Sequence, residues 1–76
     1  MTPSEYQDRV LAGLRRLTPE EREAVRRELD GHIEDHMEAL RELGYDEALA
    51  QERTMAAMGD PEEVGRELEK QYPLRW

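Results

Sequence analysis

Apolar residues recur three and four apart along this chain. Over residues 19–43 they fall at Val25, Leu29, Ile33, Met37, Leu40 and Leu43, a single stripe on a helix of 3.6 residues per turn. At 1.5 Å per residue this helix is predicted to run roughly 37 Å and to organise whatever packs on it. Residues 3–17 carry Tyr6, Val10, Leu11, Leu14 and Leu17. Residues 47–58 carry Ala48, Leu49, Met55 and Met58, and residues 61–72 carry Val64, Leu68 and Tyr72. The opposite faces hold spaced charge pairs such as Glu5 with Arg9, Glu23 with Arg27 and Glu62 with Arg66, which support isolated helical turns.

The starts of these segments are marked by capping chemistry. "TPSE" offers Thr2 as N-cap, Pro3 at the first helical position and Glu5 at the third. "TPEE" repeats this with Thr18, Pro19 and Glu21, and "DPEE" with Asp60, Pro61 and Glu63, while Asp46 opens the third segment in "GYDEAL". Such residues place an oxygen on orphan N–H groups and a proline where its missing donor is harmless. Gly44 and Gly59 stand where a helix ends with positive φ, and Pro73 prevents continuation past the last segment. Short connections make successive helices neighbours. The pattern predicts an all-α fold, a small compact bundle of four helices: short, long central, short and short. Gly31 interrupts the long helix. The apolar spacing continues in phase through it, so the helix is expected to stay whole, the glycine being tolerated or marking a close approach.

Composition sharpens this picture. At 76 residues the chain is one small domain, read as residues 1–72 with a tail over 73–76, and it buries roughly 60% of its unfolded surface. It has no cysteine, which excludes disulfides and thiolate metal sites and fits a reducing compartment. The opening "MTPSEYQDRV" is polar, unlike a signal peptide, and no apolar run approaches the ~20 residues of a membrane helix. The net charge is −8. Residues 1–27 carry six basic and five acidic side chains, and residues 28–76 carry five basic and fourteen acidic ones. An acidic surface repels phosphates, so direct nucleic-acid binding is not expected. Ten of the eleven cations are arginine, Lys70 being the exception; that bias fits a GC-rich genome better than dedicated anion recognition.

Three groups of residues could carry chemistry. "HIEDH" sets His32 and His36 one helical turn apart, with Glu28 a turn earlier. A zinc site needs at least three such ligands, and Ile33 stands where a zinc protease of the HExxH type has its glutamate. Because Leu29, Ile33 and Met37 define the buried stripe, the histidines flank it. They read first as surface-bordering side chains donating to acids such as Glu28, with a Glu28–His32–His36 metal set as the alternative. Met37, Met55 and Met58 read as core, or as an adaptable partner groove. Arg15, Arg16, Arg22, Arg26 and Arg27 surround the turn between the first two helices. They read as a solvated surface paired with Glu20, Glu21 and Glu23, or as a docking patch for an acidic partner or an anionic membrane. Ser4, the only serine, lies in a cap, so no nucleophile for acyl transfer stands out. No glycine-rich phosphate loop occurs, and no cofactor is expected.

Residues 28–68, "ELDGHIEDHMEALRELGYDEALAQERTMAAMGDPEEVGREL", resemble the small helical HAAS domain and the closely similar permease prefix domain. The shared pattern is E-L-x-x-H in a long helix, here Glu28, Leu29 and His32. A turn follows at Gly44, Tyr45, Asp46, Glu47 and Ala48, and another at Gly59, Asp60, Pro61, Glu62 and Val64. Upstream, "LTPEERE" resembles the family's entry into the long helix. Leu49 and Gly31 depart from the pattern, and His36 is an addition, so the histidine pair is not a family metal site.

The resemblance implies a non-enzymatic regulatory or signalling module that works through protein–protein contact. Such domains sit on the cytoplasmic side, usually ahead of transmembrane helices, beside a PadR-like transcriptional regulator or a transport permease. The expected partner is therefore such a regulator or the chain's own membrane region, and a homo-oligomer is open. Trp76, the only tryptophan, follows Leu74 and Arg75. Tryptophan and arginine favour the headgroup region, so this ending is expected to lead towards the inner membrane. The competing readings are a small metal-binding protein or enzyme and a stand-alone oligomerisation domain.

Overall fold

Thr2 and Thr18 both form reciprocal caps in the computed structural model, which describes residues 1–71. The Glu5 N–H donates to Thr2 Oγ1 and the Thr2 N–H to Glu5 Oε1, each at 3.1 Å. The same box closes between Thr18 and Glu21 at 3.1 and 2.9 Å. Asp46 accepts from the Leu49 N–H at 2.8 Å. At Asp60 the donor is the Glu62 N–H, at 3.2 Å, and the expected partnership with Glu63 is replaced by this one-way cap. Four helices follow: α1 (Pro3–Ala12), α2 (Pro19–Glu42), α3 (Glu47–Met58) and α4 (Pro61–Glu69). The described residues contain no strand, and none of their helices is long and apolar enough to cross a membrane. Gly44 and Gly59 adopt φ of +94° and +90°, the left-handed geometry that only glycine enters without strain.

α1 packs against α2, α3 and α4, and α2 also pairs with α3. The core joins Tyr6, Val10, Leu11 and Leu14 to Val25, Leu29, Ile33 and Met37, with Ala50 and Met55 from α3. Val64 and Leu68 of α4 pack on it half-buried. Tyr6 crosses this core, and its hydroxyl donates to the Met58 carbonyl at 3.0 Å. Burial and, secondarily, the Asp60 carboxylate push the Tyr6 phenol above its ordinary range. Met37 and Met55 are core side chains, not the lining of a groove.

Four expectations need correction. α1 ends at Ala12 instead of residue 17, because a helix running to 17 would leave Thr18 alone to reverse the chain into α2. Residues 13–17 supply that turn while Leu14 still swings fully into the core. Leu43 is 74% exposed; the helix ends at Glu42, and the inward stripe runs only to the half-buried Leu40. In α3, Ala48 and Leu49 face outward, and Ala50, Thr54 and Met55 face inward. Alanines and methionines surround that helix, so apolar spacing singles out no face. α4 ends at Glu69, whereas Tyr72 and the 73–76 tail lie outside the described residues.

Gly31 lies within an unbroken α2, and a Cβ built there meets nothing within 4 Å. It is tolerated, and marks no helix approach. Gly31→Ala is therefore expected to stabilise the domain by about 0.5–1 kcal/mol, the usual penalty of glycine in a helix interior. Thermal melts followed by circular dichroism check this, and a lower midpoint would place a neighbour against α2 that the fold does not contain. The close approach lies elsewhere: α1 crosses α4 at Gly13 and Gly65, where a Cβ on Gly65 would stand 2.7 Å from the Val10 carbonyl oxygen.

Candidate functional site

The metal reading depends on α2 gathering Glu28, His32 and His36. Glu28 Oε1 and His32 Nε2 lie 3.9 Å apart with side chains 78% and 66% exposed, the geometry of a weak surface pair. These two rim a groove of about 230 Å³ between α2 and the end of α4, also lined by Val25, Leu29, Leu68 and Gln71. His36 sits half-buried a turn further on and does not line it. Among the described residues no three His, Cys, Asp or Glu side chains are placed to hold a metal ion. The three residues share a helix without forming a ligand set.

The arginines expected to form one patch are divided between separate tasks. Arg22 Nη1 donates to the Leu11 and Leu14 carbonyls at 3.3 and 2.9 Å, closing the carbonyl end of α1, where a cation also suits the helix dipole. Arg26 donates to Gln7 Oε1 at 3.0 Å and to Asp8 Oδ1 at 2.9 Å. Arg27 faces Glu23 at 3.9 Å, one of the anticipated pairings. Arg16 lies 3.9 Å from Glu69, and Arg15 is exposed. Three of the five thus hold the bundle together or pair along α2. Arg15 and Arg16 instead share a rim with Arg66 of α4 and Lys70 just after it.

Two features escaped sequence reasoning. Gln7 is buried, its amide donating to Asp30 while its carbonyl oxygen accepts from Arg26. A buried amide satisfied on both sides locks the register of α1 on α2. Its position supplied a signal, because residue 7 precedes Leu11 and Leu14 at helical spacing. The second is the rearrangement of the charge pairs. Glu62 takes Arg9 of α1 at 2.6 Å instead of Arg66, and that hydrogen bond, helped by Asp60, holds its carboxyl below the usual range. Arg41 ties Glu34 and Glu38 of α2 to Glu47 at the start of α3, at 2.9, 3.4 and 2.8 Å. Its hydrogen bond depresses the Glu47 carboxyl.

Most of the motif residues build the scaffold. Leu29 is core. Gly44 and Gly59 make positive-φ turns, Asp46 and Asp60 cap helices, and Pro61 is the buried first residue of α4. Ala48 lies exposed in the first turn of α3, and Glu28 and His32 form the surface pair. With this geometry in place, comparison with known proteins finds that the HAAS family model matches residues 5–67. No curated protein and no solved structure matches.

Proposed function

Because the chain belongs to the HAAS family, a family of small helical signalling domains, we propose that it is a regulatory module without catalytic activity. It acts by binding another protein at the cytoplasmic face of a bacterial membrane. The partner is a PadR-like transcriptional regulator, or the membrane region of the same polypeptide or of a permease.

The observation that carries this reading is the role of the motif residues. Leu29, Gly44, Asp46, Gly59, Asp60 and Pro61 each serve a core, a turn or a cap. These residues build a scaffold, which suits a module that works through its surface. The acidic outer face is consistent with this, since charge on a rim sets specificity and encounter rate.

The native gene tests the membrane half of the proposal. The reading frame is expected to continue into an apolar run of about 20 residues, beside a gene for a PadR-like repressor or a permease. A frame without such a run would remove the membrane placement. For the metal alternative, calorimetric titration with zinc is expected to show no binding by Glu28, His32 and His36. Stoichiometric uptake lost in His32→Ala would overturn the proposed role.

A further inference from the structure

Four cations meet where the turn after α1 faces the end of α4. Arg15 and Arg16 from the turn, with Arg66 from α4 and Lys70 from its C-cap, border an open groove of about 520 Å³ that Gly13 and Glu69 complete. Elsewhere four arginines, Arg9, Arg22, Arg26 and Arg41, make hydrogen bonds at 3.3 Å or less to acids, an amide or carbonyls. Arg27 and Arg53 lie singly, one 3.9 Å from Glu23 and the other over the Tyr45 ring. Here Arg15 and Arg66 have no ion pair among the described residues, Arg16 meets Glu69 only at 3.9 Å, and Lys70 reaches Glu67 at 3.2 Å. On a chain with nineteen acids and a net charge of −8, a face with four cations and a single lining acid is a local reversal of sign.

The kind of partner follows from the form of this face. A discrete phosphate or acidic side chain is held by desolvated, often bidentate donors. This groove is open, and its donors are in water: the Arg16 side chain is 50% exposed and that of Lys70 is 73% exposed. Cations spread over two elements, without a pocket, suit an extended sheet of negative charge. A polyanionic surface requires only positive charge density on one side of the molecule.

We propose that Arg15, Arg16, Arg66 and Lys70 form the side on which the domain rests against anionic phospholipid headgroups. This rests on the reading that the domain works at a membrane, and it adds the orientation. Most of the acidic surface then remains available to a protein partner.

Flotation of the purified chain with vesicles tests the proposal, using phosphatidylcholine alone or mixed equally with phosphatidylglycerol. At low salt the chain is expected to float with the mixed vesicles only, and to be released near 1 M salt, where the screening length is about 3 Å. A basic residue near an anionic surface is worth roughly a fivefold change in partition, so Arg15→Glu with Arg66→Glu should reduce binding at least about 25-fold. Arg27→Glu with Arg53→Glu changes the net charge equally at other sites and should reduce it far less. Absence of binding to the mixed vesicles would overturn the proposal, as would equal losses in the two double variants. Saturable binding of soluble polyglutamate together with no binding to the mixed vesicles would also overturn it, in favour of an acidic protein partner. Fractionation of the full-length protein tests the membrane reading separately. A membrane-bound full-length chain whose domain ignores the vesicles would remove this face alone.

Discussion

Ile33→Ala is expected to destabilise the bundle by about 2–5 kcal/mol, the usual cost of removing a buried aliphatic side chain without collapse of the cavity. Ile33 is 3% exposed at the middle of α2, on the stripe that carries Leu29 and Met37. A domain of this length holds only about 4–11 kcal/mol in total, so the loss removes a large share of its stability. Melts at 222 nm should show a midpoint lower by at least about 10 °C, and Leu29→Ala should behave alike. If both variants melt within a few degrees of the parent, α2 does not present this face to the core.

The second large effect is expected at Gly65, with a sign opposite to what helix propensity gives. Alanine in a helix interior is normally favoured over glycine by about 1 kcal/mol. A Cβ on Gly65, however, would stand 2.7 Å from the Val10 carbonyl oxygen, with Val10 C and Cα at 3.6 and 3.7 Å. Those are backbone atoms of a residue that is itself fully buried, so α1 and α4 must separate. Gly65→Ala should therefore cost about 1–3 kcal/mol, as overpacked contacts do, whereas Gly31→Ala stabilises. Urea titrations of the two variants give the comparison directly. A stabilised Gly65→Ala would show that α1 and α4 do not cross there.

These two positions mark how much of the molecule is legible in its sequence. The starts of all four helices are, because caps are local: Thr2, Thr18, Asp46 and Asp60 satisfy N–H groups two or three residues away. The inner face of α2 is legible too, since its apolar residues keep phase from Val25 to Leu40. The crossing at Gly65 is not, because a glycine at a helix contact and a tolerated one like Gly31 look alike until the neighbour is placed. The end of α1 is set by the turn that brings Leu14 inward and by Arg22 reaching back to its carbonyls, both tertiary events. In α3 the buried side includes Thr54, a residue that polarity assigns to solvent. The candidate surfaces followed the same division. Glu28 and His32 are neighbours by helical spacing alone and were found so. The arginines sorted by tertiary contact, with Arg22 and Arg26 drawn onto α1 and Arg15 and Arg16 joined to cations some fifty residues away in the chain.

The central claim is that this scaffold exists to hold a surface for a protein partner. Isothermal calorimetry of the purified chain against the PadR-like regulator proposed as its partner tests this most directly. Saturable binding is predicted, retained in Gly31→Ala and lost when Ile33→Ala unfolds the bundle. Absence of heat at concentrations of tens of micromolar, where a regulatory contact with a Kd near 1 μM (about −8 kcal/mol) would saturate, would contradict the account.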